Sequence, residues 1–524
     1  MRKELIKIRC RSDIELFAKF FFAHHCRYPF SKFHKTIFKN YNNSIKCPLL
    51  ERKGYGEAIA APRGNAKSTL MSMIIPIHCI VYQLERYIVI ISATHKQAVG
   101  RLENIRSELL TNEKLKLYFG DLLDGKKKPS KKSLIVNDIR IDALSAGMEI
   151  RGISYNEFRP SRIIIDDGED SENVENPDLR EKLECWFSEV IENLGDSYTI
   201  IEVIGTILHQ DSLLANLLKR PDFKTSLYRS VITFAGSQEL WDKWKAIYND
   251  LENENRVDDA RSFFLKNKPE MIKGTSVLWK EKEDYYDLMC QLISHGRRAF
   301  FKEKQNDPKD CETQIFDTSK FKKFSIVHNE ICLGENGEKK IALDSLQFFG
   351  YLDPALGNKN GDFASIATVG VDSFGYIYVL DVFLGRISPT AQIEKVFDLH
   401  EIWNYDNFGI ETNCFQEMMI SPFEQERERR KHSGNSWSLP LNEVKNYQKK
   451  ESRIYSIEPL INNGRVLFNK SIHENFYNQC EQFPTGSHDD GIDALAGAIS
   501  IAKMQRISNK SVGQRKTLKS LNNF

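Results

Sequence analysis

Two different rhythms of apolar and polar residues run along the chain. Between Glu57 and about Arg220, short and almost wholly apolar runs alternate with longer stretches whose apolar residues recur every three or four positions. The runs Ala58–Ala61, Tyr87–Ser92, Asp138–Ala143, Arg162–Ile165 and Tyr198–Ile204 predict buried strands, and the stretches between them predict amphipathic helices. Strands separated by helices build a parallel sheet with helices on its faces. From Phe348 the rhythm changes. Phe348–Asp353, Phe363–Val371 and Tyr376–Phe383 follow one another closely and predict an antiparallel meander. A helix over Pro389–Trp403, a strand over Phe408–Glu411, a further helix, and a last helix from about Asp489 to Gln505 complete the second pattern. The fold class is α/β in both halves, with a mixed sheet in the second. The divisions expected are a helical, aromatic segment (1–50), a parallel-sheet domain (51–236), a helical linker (237–340), a mixed-sheet domain (341–505) and a basic flexible tail (506–524).

Composition narrows the class. A chain of 524 residues is too long for one ordinary core, so two or three domains are expected. An apolar fraction of 41% and a charged fraction of 28% are those of a soluble globular protein, and no apolar run reaches the length of a membrane span. The start, Met1-Arg2-Lys3-Glu4-Leu5, lacks the apolar region of an export signal. Ten cysteines without a CxxC pair point to reduced thiols in a cytosolic setting. With a net charge of only +2, a nucleic-acid partner would be met by local basic patches such as Lys126–Lys132.

The first candidate chemistry lies at Ala61-Pro62-Arg63-Gly64-Asn65-Ala66-Lys67-Ser68-Thr69, between a strand and a helix. Backbone N–H groups at a helix N-terminus, a Lys for the phosphates and a hydroxyl for Mg²⁺ are what a phosphate-binding loop requires. Lys67 and Ser68 stand where such a loop needs them. Ala61 and Ala66 replace its two glycines, which is tolerable only where φ is negative and the methyl group meets no ligand. Downstream, Arg162-Ile163-Ile164-Ile165-Asp166-Asp167 reads as a buried strand delivering a carboxylate to the same ion. Asp166 is the expected ligand, and Asp167 or Glu169 the residue that polarises the attacking water. Arg63 is a candidate to neutralise charge developing on the γ-phosphate, with Arg151 as an alternative acting across a subunit boundary.

The second candidate chemistry is acidic. Hydrolysis of a phosphodiester by two metal ions needs several carboxylates converging at strand and helix ends. Asp353 ends the first meander strand, Glu411 ends a later strand, and His488-Asp489-Asp490-Gly491-Ile492-Asp493 opens the last helix. Asp353, Glu411 and Asp490 are the expected ligands, with Asp489 or Asp493 assisting. His488 is a candidate to orient the phosphate or move a proton, and Asp362 to support the ligands from behind. Lys445–Ile454 is a basic loop-to-helix element suited to phosphate contacts.

Residues Ala61–Thr69, Gly147–Gly152, Arg159-Pro160, Ile163–Asp167 and Ile204–Asp211 together resemble the ATPase domain of large terminase subunits, the DNA-packaging enzymes of tailed bacteriophages. Ile204–Asp211 is similar to that family's coupling motif, and Phe30–His34 to its adenine-contacting element. The strand-end acids resemble the family's C-terminal RNase H/RuvC-like nuclease. The resemblance implies a P-loop NTPase fold, ATP held by Arg63–Thr69 and Asp166, and Mg²⁺ there. It also implies two Mg²⁺, for which Mn²⁺ substitutes, at the nuclease site. The partners implied are double-stranded DNA, the portal protein and procapsid, a small terminase subunit and a homo-oligomeric ring on the portal, with no membrane. The location implied is the cytoplasm of the infected bacterial host and not the mature virion. Two other readings stay open: a motor-dead nuclease, if the alanines prevent phosphate binding, and an ATPase-nuclease of a defence or mobile-element system.

Overall fold

The computed structural model describes residues 2–123, 130–308, 315–334, 337–355, 362–411, 416–432, 439–446 and 448–521. Lys126–Pro129 of the basic loop, Glu335 and Asn336 of the polar turn before the second domain, Gly361 and Tyr447 lie outside them. The chain divides into two compact units, Met1–Gly236 with Ile272–Glu312, and Ser237–Met271 with Thr313–Phe524. The expected linker is thus shared between the units. No helix among the described residues is long and apolar enough to cross a membrane.

In the first unit the strands are β1 (Tyr55–Ala60), β2 (Tyr87–Ser92), β3 (Ser133–Val136), β4 (Ile139–Ser145), β5 (Arg162–Asp166), β6 (Ile200–Gly205) and β7 (Phe223–Leu227). They form one sheet in the order β3-β4-β2-β5-β6-β1-β7, parallel except for β3. Alternation assigns the side chains to two cores. Ile59, Ile88, Ile90, Ile164 and Ile204 face one, and Ala58, Val89, Ile91, Ile163 and Val203 face the other. Burial on both faces explains why these strands read as unbroken apolar runs. Arg162 is the exception. Its fully buried guanidinium pairs with Glu85 at 3.0 Å and Glu202 at 2.5 Å. A small antiparallel pair, β8 (Val231–Thr233) and β9 (Ser276–Val277), brings the Ile272–Glu312 segment into this unit.

Among the described residues the second unit has nine strands: β10 (Lys323–Val327), β11 (Glu330–Leu333), β12 (Lys339–Ala342), β13 (Gln347–Asp353), β14 (Ala364–Val371), β15 (Ile377–Gly385), β16 (Asn407–Glu411), β17 (Leu441–Val444) and β18 (Val466–Asn469). Their order is β12-β11-β10-β18-β15-β14-β13-β16-β17. β13, β14 and β15 form the expected antiparallel meander, and β16 lies parallel to β13. The helix Pro389–Trp403 covers one face through Ile393 and Phe397. The helix Asp490–Leu521 covers the other through Ile492, Leu495 and Ile499. Gly497 permits that second approach, since an added Cβ would lie 2.5 Å from the Tyr351 ring. The helix continues to Leu521, where a flexible tail was expected from residue 506.

Candidate active sites

β1 ends at Ala60, and the chain turns through Ala61–Ala66 into a helix beginning at Lys67. Gly64 has φ +86° and Ala66 has φ +57°. The expectation that the substituted alanines take negative φ therefore fails at Ala66, which occupies the left-handed region at a cost of about 1–2 kcal/mol. Its neighbours hold it there. Lys67 Nζ donates to Ala61 O and to Thr206 Oγ1, both at 2.7 Å. Asn65 Nδ2 donates to Pro62 O at 3.3 Å, and Asn65 O accepts from His34 Nε2 at 3.1 Å. The tautomer of His34 follows, because the Ser31 N–H donates to its Nδ1 at 3.0 Å and the proton must sit on Nε2. Burial pushes the His34 pKa down to about 4, so the ring is neutral. Within Phe30–His34, the segment expected to contact adenine, His34 is the residue that bonds to the backbone of the loop.

β5 ends at Asp166 with its carboxylate buried beside the loop. Ser68 and Ser72 donate their hydroxyls to Asp166 Oδ1 and Oδ2, each at 2.8 Å. Arg101 Nε lies 2.9 Å from Oδ2. Burial pushes the Asp166 carboxyl up and Arg101 opposes this. Burial likewise pushes the Lys67 ammonium down, against the pull of Asp167 and Asp166. Neither Ser72 nor Arg101 was foreseen. The serine follows Ser68 by four residues, one helical turn, which is the signal that would have found it.

Asp167 and Glu169 differ in what they do. Asp167 has φ +49°, its Oδ1 lies 3.7 Å from Lys67 Nζ, and its side chain is partly exposed. Glu169 accepts from the backbone N–H groups of Leu213 and Leu214 at 2.7 and 3.1 Å, at the start of the helix Leu213–Leu217. Burial pushes its carboxyl up. Both line a cleft of about 210 Å³ with Arg63, Gln97, Thr206 and Glu303. Arg63 is exposed and pairs with Glu303 at 3.1 Å. Lys282 Nζ donates to Gly64 O, and Lys304 Nζ to Arg63 O at 3.4 Å. The sequence pointed to no functional residues in that charged segment. Its contacts to the loop span 240 residues for Arg63 and Glu303, beyond any local pattern. Thr69 lines a second cleft with Ser68, Ser72 and Arg101. Arg151 lies in a different cleft, 3.3 Å from Glu189.

In the second unit, β13 and β16 run parallel and end side by side at Asp353 and Glu411. The helix from Asp490 crosses their ends. One carboxylate oxygen from each of Asp353, Glu411 and Asp493 lies within 4.8 Å of the other two. Asp490 groups instead with Asp362 and His488, at the same spacing. Asp493, expected only to assist, thus stands with Asp353 and Glu411 where Asp490 was expected. A separation of three helical residues turns a side chain by about 60° and moves it about 4.5 Å along the axis, enough to aim the two at different neighbours. Asp490 Oδ2 accepts from Phe363 N at 3.1 Å. Asp489 pairs with Lys450 at 2.8 Å and joins neither group.

Two basic side chains from the helix Lys450–Tyr455 sit among these acids. Lys450 Nζ lies 2.9 Å from Asp490 and 3.8 Å from Asp353. Arg453 Nε donates to Asp493 at 3.0 Å, and its Nη2 lies 3.6 Å from Glu411. Burial, and then the charge of Asp493, push the Asp353 carboxyl up to about 8. Burial disfavours the Lys450 ammonium, but Asp353, Asp489 and Asp490 outweigh it and raise its pKa. An all-oxygen donor set of Asp353, Glu411 and Asp493 suits Mg²⁺ or Mn²⁺, while His488 adds a nitrogen to the second group.

Residues 350–501 match the family model described as the terminase RNase H-like domain. The matched stretch holds all four of Asp353, Glu411, Asp490 and Asp493. No protein with a curated description matches the sequence. Among solved structures, the large terminase of bacteriophage HK97 is similar at 15% identity and TM-score 0.31, over 88% of this chain and 93% of that one. The large terminase of a thermophilic bacteriophage, in complex with ATP-γ-S, is similar at 8% identity and TM-score 0.42, over 89% and 98%. The human cytomegalovirus terminase nuclease domain is similar at 16% identity and TM-score 0.24, over 30% and 85%. At these scores none of the three bears on the chemistry of this chain.

Proposed function

We propose that the chain is a large terminase subunit, which drives double-stranded DNA into a procapsid with ATP and cuts concatemeric DNA with divalent metal. The observation that carries this reading is the convergence of Asp353, Glu411 and Asp493 within the stretch that matches the terminase RNase H-like domain. Asp353, Glu411 and Asp493 would hold one Mg²⁺, and Asp490 with Asp362 a second. The ions supply a polarised water and charge neutralisation at the phosphate. Lys450 and Arg453 neutralise part of the charge of these acids and would contact DNA phosphate. His488 stands beside Asp490 to orient the phosphate.

In the first unit, Lys67 would bind the phosphates of ATP, and Ser68 with Asp166 would hold Mg²⁺. Asp167 suits the water-polarising role better than Glu169, because Glu169 is occupied by the helix Leu213–Leu217. Arg63 is exposed beside the loop and free to swing from Glu303 toward a γ-phosphate. The pairing of Ser68 with Asp166, and of Lys67 with Asp167, favours a working motor over the motor-dead nuclease. The partners in this reading are the portal, the procapsid, a small terminase subunit and further copies in a ring, in the host cytoplasm.

The test is DNA uptake. With portal-bearing procapsids and ATP, the wild-type chain should protect DNA from added nuclease, and Lys67→Ala should not. Cleavage without any ATP turnover, even with procapsids present, would transfer the assignment to a motor-dead nuclease. Turnover without procapsid or portal binding would transfer it to a defence or mobile-element enzyme.

A further inference from the structure

We propose that His24, His25 and Glu108 form a binding site for a transition-metal dication of the zinc class, with a donor set of its own in the cleft that also holds Ser68 and Arg101. The Nε2 atoms of His24 and His25 lie 3.0 and 2.9 Å from the same oxygen, Glu108 Oε1. The three donor atoms all fall within 4.8 Å of one another. Two imidazoles and one carboxylate make a donor set that Zn²⁺ takes with water completing the shell, and imidazole nitrogen disfavours Mg²⁺.

The surroundings fit such a site. A turn after the helix Ile14–Phe21, closed by His25 N and Cys26 N donating to Phe22 O at 2.9 Å, presents both rings on one side. Phe22 stacks on the His24 ring with centroids 6.2 Å apart. On the other side, Asn112 Nδ2 donates to Glu108 Oε2 at 2.9 Å, which leaves Oε1 aimed at the histidines. Outer hydrogen bonds of this kind orient the ligands of protein metal sites. The imidazoles are partly exposed, and a cleft of about 210 Å³ beside His25 and Glu108 gives an ion a way in.

The position gives the ion a structural consequence. Glu108 and Arg101 lie on the helix His95–Thr111, seven residues and about two turns apart on one face. Arg101 pairs with Asp166. A bound ion would therefore cross-link the N-terminal turn to the helix that delivers Arg101 to the phosphate-loop site.

The test uses the full chain carrying Asp353→Asn and His488→Gln, which takes a donor from each acid group, stripped with chelator and dialysed against Zn²⁺. This chain should retain zinc by elemental analysis, and zinc should raise its Tm. Adding the double variant His24→Gln/His25→Gln should remove that zinc and the Tm rise. If the double variant folds poorly, His24→Gln alone should still lose the visible absorption of bound Co²⁺. A chain with the two acid-group substitutions that retains no zinc, or histidine variants that retain it in full, would overturn the site.

Discussion

Ser68 donates its hydroxyl to Asp166 at 2.8 Å across 98 residues of chain, so the hydroxyl and carboxylate that a phosphate-loop site needs for its ion already touch. One strand, β6, separates β1 from β5, and its end supplies Thr206, which binds Lys67. The loop, the acid and the end of β6 are thus tied by four side chains, Ser68, Asp166, Lys67 and Thr206. Lys67, Asp166 and Asp167 form one electrostatic unit.

From that unit Asp167 and Glu169 should separate cleanly. Asp167→Asn should lower kcat for ATP hydrolysis by about 10²–10³-fold with little change in KM, the loss typical of a removed proton acceptor. Glu169→Gln keeps its shape and most of its backbone contacts, so it should retain most activity and chiefly lower Tm. Steady-state ATPase assays and thermal unfolding read the two directly. Equal loss of kcat in both variants would contradict the assignment.

Ala66 tests the strain in the loop. Ala66→Gly should stabilise the first unit by up to about 1 kcal/mol, because glycine takes φ +57° without the penalty paid by a Cβ. Denaturant titration measures it, and ATP binding should be kept.

His34 gives a pH dependence of defined sign. Its folded pKa of about 4 lies below its ordinary 6.5, so the unfolded chain binds the proton first as pH falls. The stability it contributes is present above pH 6.5 and is lost as pH drops toward 4. Wild type should therefore lose more stability than His34→Gln across that window, measured by denaturant unfolding at several pH values.

At the acid cluster, metal binding should release protons. Asp353 is raised to about 8, so at pH 7 much of it is protonated without metal, and Mg²⁺ must displace that proton. Calorimetry in buffers of different ionisation enthalpy should show the release in wild type and a smaller one in Asp353→Asn. Lys450→Gln with Arg453→Gln should tighten Mg²⁺, because two cations that compete for the same carboxylates are gone.

The strands of both sheets were legible because burial on two faces leaves an unbroken apolar run, as in Tyr87–Ser92, and the meander because its three strands lie close in sequence. The short strands β10, β11, β12 and β17 carried no such run and were not foreseen, and β18 was missed although Val466–Phe468 is apolar and buried, because the run is only three residues long. β7 was also missed, since Phe223–Leu227 is mostly exposed and polar. Asp353 and Glu411 were legible as strand ends. Choosing between Asp490 and Asp493 needed the helix direction, which spacing alone does not give. Lys282, Glu303 and Lys304 were invisible because only the chain's return through β9 brings them to the phosphate loop.

The measurement that bears most directly on two separate chemistries in one chain is plasmid cleavage with Mg²⁺ or Mn²⁺, run beside ATP turnover on the same preparations. Asp353→Asn and Asp493→Asn should each lower cleavage by at least about 10²-fold and leave ATP turnover unchanged. Lys67→Ala should abolish turnover and leave cleavage. Cleavage that survives both acid substitutions would contradict the nuclease site, and turnover that survives Lys67→Ala would contradict the motor.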